Sequence, residues 1–447
     1  MTNPLHEIAA WVTGPAVERL PAAAVMLVKR AFLDTIAVTL LGSRLEGPRI
    51  VAAVERERGG KPQASVVGMR TKADVIAAAL INGTSAHAEL FDDNNGPMIA
   101  HPSAPLVSAL LPLAQYRGAT GKAVIEAYAA GFEVSVKLGR MLNPKFYEQG
   151  WHVTRVLGVF GVTAACCRLL QLDVKQTSNA LGLAASMASG IRQNFGTMTM
   201  GLHVGLTARD AVHAALLAER GFAADPAALH GKYGFFQVYG NQNPPLLPLG
   251  EPLELLASGI IFKLYPSGAP TLAAVDAAIA LHEKLNGDLA RVKSITCLVH
   301  PWNAMTLRDE EPREPLQGKV NLRFCIAAAL RDGALTYRHF STEGIGDATL
   351  AALRRRIEVR ISSDLPDNDE FPAELQIELD DGVVLVERRE VPQGGVKLPL
   401  TQAQIIAKLR ICAAVALQPV AVDRIIDQVG RLESLPDVAA LCVEMEG

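Results

Sequence analysis

The apolar pattern of this chain changes its period twice, and each change limits what the segment can become. Up to about residue 250 the apolar residues recur at helical spacing. They form long Ala-rich runs at 72–87, 102–117, 120–142, 154–171, 174–191 and 204–221. Thr120 and Asp173 stand where N-caps are expected. Pro21 suits the first turn of a helix running to Gly42. Near residue 290 the period becomes two. "RRIEVRISS" (355–363) sets Ile357, Val359 and Ile361 against charged residues. "AELQIELDDGVVLVERREV" (373–391) has two alternating runs about Asp380-Asp381-Gly382, a hairpin signal, and "KSITCLVH" (293–300) is strand-like in composition. Helices are expected around these strands at 269–285 and 319–331. From Thr401 the helical pattern returns. The pattern predicts a mainly α chain: a large all-helical domain (1–260 plus 399–447) with an inserted smaller α+β domain (261–398). Strands should be confined to about 290–395.

Composition narrows the class further. Apolar residues make up 49% of the 447, yet aromatics only 5%, a mix suited to closely packed helices. The net charge of −3, with both signs interspersed, excludes a nucleic-acid-binding stripe. Six cysteines lie mostly in apolar runs without metal spacing and read as reduced, buried thiols. The most membrane-like run, "AAAVMLVKRAFLDTIAVTLLG", is interrupted by Lys29, Arg30 and Asp34, so it reads as a buried helix. The opening residues lack the basic and apolar regions of a signal peptide, and a cytoplasmic location is expected.

Four polar clusters stand out on this apolar ground, each at a helix junction with Gly or Pro. The first, "HAELFDDNNGPMIAHPS" (87–103), holds His87, Asp92, Asp93, Asn94 and His101. The second, "PKFYEQGWHVTRVLG" (144–158), holds Tyr147, His152 and Arg155. The third, "GIRQNFGTMTMGLHVG" (190–205), holds Arg192 and His203. The fourth, "FKLYPSGAPT" (262–271), holds Lys263, Tyr265 and Ser267. Helix junctions present backbone N–H groups to anions, and histidines, lysines and tyrosines move protons. The inventory points to acid–base chemistry on an anionic substrate. No HxxxH, HExxH, GxGxxG or GxSxG arrangement points to a metal, a nucleotide or a serine nucleophile.

At these clusters the chain resembles the MmgE/PrpD family. The matching stretches are "NGTSAHAELFDDNNGPMIAHPS", "GWHVTRVLG", "ASGIRQNFGTMTMGLHVG" and "KLYPSG", in the family's order. The resemblance implies a helical domain with an inserted α+β domain, a homodimer, no metal or organic cofactor, and a polycarboxylate substrate in a cleft. The family includes 2-methylcitrate dehydratases, cis-aconitate decarboxylases and iminodisuccinate epimerase. Its site positions fall on His101, His152, Lys263 and Tyr265. Several family residues are absent: an acidic position is Leu90, a lysine is Met200, paired cysteines are replaced by Ser267-Gly268, and a later histidine is Leu272. Arg155 replaces a small residue. These departures favour an epimerase of the iminodisuccinate type, which moves a proton at a carbon next to a carboxylate. The alternatives are a tricarboxylate dehydratase or decarboxylase, or a non-catalytic helical scaffold. Lys263, His152, Tyr147, His101 and Tyr265 are the expected acid–base groups. Arg155, Arg192, His87, Asp92, Asp93, Asn94, His203 and Ser267 are expected to hold substrate.

Overall fold

A computed structural model describes residues 3–307, 310–366 and 370–447. The helix Ala22–Gly42 is buried without interruption from Ala31 onward and forms a central axis of the larger core. The long helices Val75–Ala88, Ser103–Arg117, Gly121–Leu142, Gly158–Leu169 and Met198–Glu219 pack around it or against one another. Small residues set the spacing. A Cβ on Gly83 would sit 2.8 Å from the Gly205 Cα, so only glycine lets helices Val75–Ala88 and Met198–Glu219 come this close. The caps read from sequence form. Thr120 accepts from the Ala123 N–H, and Asp173 closes a capping box with Gln176.

The second part of the chain is built on a four-stranded sheet. Strands β3 (Val292–Val299), β4 (Ile357–Ile361), β5 (Ala373–Leu379) and β6 (Val384–Arg389) lie in the order β4-β3-β5-β6. The β3–β4 pair is parallel and the other two pairs are antiparallel. Burial alternates along β5, where Ala373, Leu375, Ile377 and Leu379 point inward. Helices Leu272–Leu285 and Leu322–Asp332 contribute to the same apolar core.

Two large apolar cores result. The larger joins side chains from Leu5 to Phe262 with others from Leu400 to Met445, and the smaller runs from Ile261 to Leu379. Helix Gln402–Ala413 packs on Ala22–Gly42, so the C-terminal segment returns to the first core.

One expectation is corrected. Strands are not confined to 290–395, because β1 (Ala64–Val66) and β2 (Thr71–Ala73) pair antiparallel in the helical region. Three residues per strand carry no readable alternation. The hairpin is held from outside instead, by Gly68 N–H to the Met445 carbonyl at 2.7 Å and Arg70 N–H to the Glu446 carbonyl at 2.8 Å. The helix expected at 204–221 also begins earlier, at Met198, which puts Met200 and His203 on its first turns. All six cysteines are free and buried. Among the described residues, no helix is long and apolar enough to cross a membrane.

Candidate active site

The first polar cluster is a folded loop between helices Val75–Ala88 and Ser103–Arg117. Leu90 takes φ +54° just past the first of these helices, and Ile99 takes φ +50°. Asn94 forms a two-bond bridge to Ile261, with N–H to carbonyl distances of 2.9 and 2.8 Å. The Asn95 side-chain oxygen accepts from the Met98 N–H at 3.0 Å. These bonds satisfy the loop's buried backbone and aim its histidines.

His87, on the last turn of its helix, places Nδ1 2.9 Å from both oxygens of Asp92. His101 Nδ1 lies 2.7 Å from the Asp93 carbonyl oxygen. A carbonyl only accepts, so this nitrogen carries the proton and Nε2 keeps its lone pair. His152 Nδ1 sits 2.9 Å from His203 Nδ1. The ring centres of His87 and His101 are 4.6 Å apart, and those of His87 and His152 are 6.0 Å apart. His87, His101 and His152 line one cavity of about 70 Å³ with Asn94, Tyr147 and Thr154.

Burial dominates the electrostatics. It pulls His101 down to about 3 against the opposing pull of Asp92, and it holds His203 at about 4. His152 falls well below the usual histidine range for the same reason, with the neighbouring histidines adding to it. These three imidazoles are therefore neutral at pH 7. Asp92 is the counter-case. Burial opposes its charge, but His87, His101 and Lys263 outweigh burial and hold it below the usual carboxylate range. Burial pushes Asp93 up to about 8. That carboxyl is bonded to Ser103, whose hydroxyl lies 2.6 Å from the Tyr128 hydroxyl.

The opposite wall is apolar. Leu90, Met200 and Val320 form a buried cluster with Phe195 packed on it, and all four line the cavity. Ile99, Leu307 and Phe371 extend this surface. Gly268, Ala269 and Pro270 bring in the end of the helix that follows them, Leu272–Leu285. The lining carries no lysine, arginine, aspartate or glutamate among the described residues.

The residues singled out from sequence thus separate. His87, Asn94, His101, Tyr147 and His152 stand on the cavity wall, while Asp92, Asp93 and His203 support them from behind. The other five are not on the wall. Lys263 is fully buried and donates to the Leu90 carbonyl at 3.0 Å. Burial draws its pKa down to about 8. The Tyr265 hydroxyl donates to Asp276 at 2.6 Å, and Ser267 pairs with Thr271 at 2.7 Å. Arg155 is ion-paired with Asp210 and donates to the Met187 carbonyl at 3.0 Å. Arg192 donates to the Tyr147 carbonyl at 2.8 Å and stacks 3.6 Å above its ring. Arg155 acts on a neighbouring carboxylate, where a substrate carboxylate was expected, and Lys263 on the Leu90 carbonyl, where a base facing the substrate was expected.

Two buried ion pairs behind the site were not foreseen. Lys408 bonds Asp34 at 2.6 Å and also donates to the carbonyls of Phe91 and Lys263, at 2.8 and 3.0 Å. Lys319 bonds Glu89 at 2.6 Å. The readable signal was a charge inside an apolar helical run, Asp34 in "AFLDTIAV" and Lys408 in "IIAKL".

His87, Asp92 and His101 are close enough to hold a metal ion, with ligand atoms within 4.8 Å of one another. However, His101 Nδ1 is already committed to the Asp93 carbonyl, and His87 Nδ1 to Asp92. An ion would have to take the Nε2 atoms of the two rings or break these bonds. Activity is expected to survive exhaustive treatment with EDTA. Loss of activity with recovery on adding one divalent ion would place a metal on this triad.

The same positions link the chain to known proteins. Residues 6–247 match the MmgE/PrpD N-terminal domain, and residues 265–433 match the MmgE/PrpD C-terminal domain. The chain is 26% identical to the cis-aconitate decarboxylase of Homo sapiens, over 99% of this chain and 94% of that protein. It is 26% identical to the mouse (Mus musculus) enzyme of the same name, over 99% and 93%. It is 25% identical to the Aspergillus terreus cis-aconitate decarboxylase, over 97% and 94%. With the two matched regions spanning both parts of the fold, the first three polar clusters and the fourth from Tyr265 on, the chain belongs to the MmgE/PrpD family.

Proposed function

We propose that this protein is a cofactor-independent lyase that removes CO₂ or water from a small carboxylic acid by proton transfer through imidazoles. The observation that carries this reading is the convergence of His87, His101 and His152 on one cavity. Relatives named cis-aconitate decarboxylase, aligned over nearly their whole length, favour a lyase over the epimerase first expected. Arg155, which favoured an epimerase, is engaged with Asp210.

In a decarboxylation the bond to the departing carboxylate breaks. Its electron pair forms a new double bond, the old double bond shifts, and the far alkene carbon takes a proton. In a dehydration a base removes a proton beside a carboxylate while an acid protonates the departing hydroxyl. Both need a group that is protonated in the complex. His101 and His152 are neutral in the free protein, yet an arriving carboxylate within ~4–6 Å favours the imidazolium by ~1–3 pKa units. The substrate's charge thus restores part of what burial withholds. Tyr147, raised to about 12 by burial against the pull of Arg192, stays a neutral hydrogen-bond donor.

Binding should therefore take up a proton. Titration calorimetry of succinate at pH 5, in buffers of different ionisation enthalpy, is expected to show net uptake of up to about one proton per ligand. Heats that do not vary with the buffer would show that the imidazoles keep their charge state.

The function itself is tested by NMR in deuterated water with a panel of unsaturated and hydroxylated mono-, di- and tricarboxylic acids, cis-aconitate included. Loss of CO₂ or water from a panel member, abolished in His101→Asn, supports the lyase. Deuterium entering a substrate carbon with no net loss would return the assignment to an epimerase. No change in any acid would leave the scaffold reading.

A further inference from the structure

We propose that the substrate carries an apolar arm and no more than two carboxylates, the arm lying on Leu90, Met200, Val320 and Phe195. This rests on the lyase reading and specifies its substrate class.

Among the described residues, the charges able to meet carboxylates are few. Lys263, Lys319 and Arg155 are each engaged, with the Leu90 carbonyl, Glu89 and Asp210. The polar wall is left with three imidazoles. With ring centres 4.6 and 6.0 Å apart, protonating one disfavours protonating the next. Such a wall balances one carboxylate, or two, and a third would fall on the apolar side. A buried carboxylate without a partner is strongly disfavoured.

The apolar side is built, not left over. Leu90 and Met200 come from different helix junctions and meet in one cluster with Val320, from the second part of the chain. Leu90 holds φ +54°, a region more comfortable for Gly, Asn or Asp. The room for an arm is bounded. A larger cavity of about 530 Å³ shares His87 and Met200 with the inner one, so Met200 stands between the two, and Glu46, Glu89, Glu314 and Lys319 line the far side.

The test is a binding series with unreactive acids, which reads substrate class without turnover. Succinate, methylsuccinate, propylsuccinate and hexylsuccinate are compared with tricarballylate, a saturated tricarboxylate, by titration calorimetry. Affinity is expected to tighten about fourfold per methylene up to the propyl arm, with tricarballylate weakest. Tricarballylate binding more tightly than propylsuccinate, a flat series, or no binding by any member overturns the proposal. The double variant Leu90→Asp/Met200→Lys is expected to reverse the order, and an unchanged order in a folded double variant also counts against the apolar wall. The two readings fail separately. Tight alkylsuccinate binding without CO₂ or water loss from any alkyl-substituted acid defeats the lyase alone. Turnover of cis-aconitate with tricarballylate as the tightest ligand defeats the substrate class alone.

Discussion

His101→Asn is expected to lower kcat by ~10²–10⁴-fold while the protein stays folded, the range for losing a positioned acid–base group. Asparagine can still present a side-chain N–H toward the Asp93 carbonyl, where His101 Nδ1 now lies at 2.7 Å, so the loop keeps its internal bond. What disappears is Nε2, the lone pair freed by that bond. The backbone N–H of residue 101 would keep its bond to the Thr154 hydroxyl at 3.2 Å. Steady-state kinetics on the best acid from the NMR panel, with circular dichroism as a check on folding, decides the matter. A kcat within threefold of wild type would remove His101 from the chemistry. The burden would then pass to His152, whose neutral state is equally enforced by burial.

The second large effect is on stability. Lys408→Met is expected to destabilise the fold by about 3–5 kcal/mol, because it leaves a buried partner without its counter-charge. Asp34 is held at 2.6 Å by Lys408 on one oxygen, and its other oxygen has no hydrogen-bond partner. Burial already raises the Asp34 pKa, and removing the lysine raises it further. The same ammonium holds the carbonyls of Phe91 and Lys263, so the loss also loosens two loops around the cavity. Urea unfolding of Lys408→Met and of Asp34→Asn/Lys408→Met measures this. The double variant should regain part of the loss, since it no longer buries an unpaired carboxylate. A single variant within 1 kcal/mol of wild type would show that the pair contributes nothing net.

The contrast between these two residues shows what could be read from sequence. His101 was legible, because a histidine before a proline at a helix junction stands out from an Ala-rich background. Lys408 was visible as a charge in an apolar helix, but its partner lies 374 positions away and no periodicity connects them. The long helices and the β5–β6 hairpin were legible for the opposite reason, since each is set by local spacing. The β1–β2 hairpin was not, as its strands are short and the C-terminal residues hold it in place. Lys263 illustrates a further limit. The motif singled the residue out, but the direction of its side chain is a tertiary fact, and it turns to the Leu90 carbonyl. Leu90 and Met200 were recognisable one at a time as departures from the family pattern. That they touch each other became visible only in three dimensions.

That contact constrains how such a site can change over generations. Restoring an acid at position 90 alone would set a carboxylate against Met200 and Val320, and restoring a lysine at position 200 alone would set an ammonium against Leu90. Either single change buries a charge among apolar neighbours and is penalised in folding before it can alter chemistry. The favourable routes change both residues together or neither. The two positions therefore accept charge only as a pair, and the contact between them couples what each side chain can become.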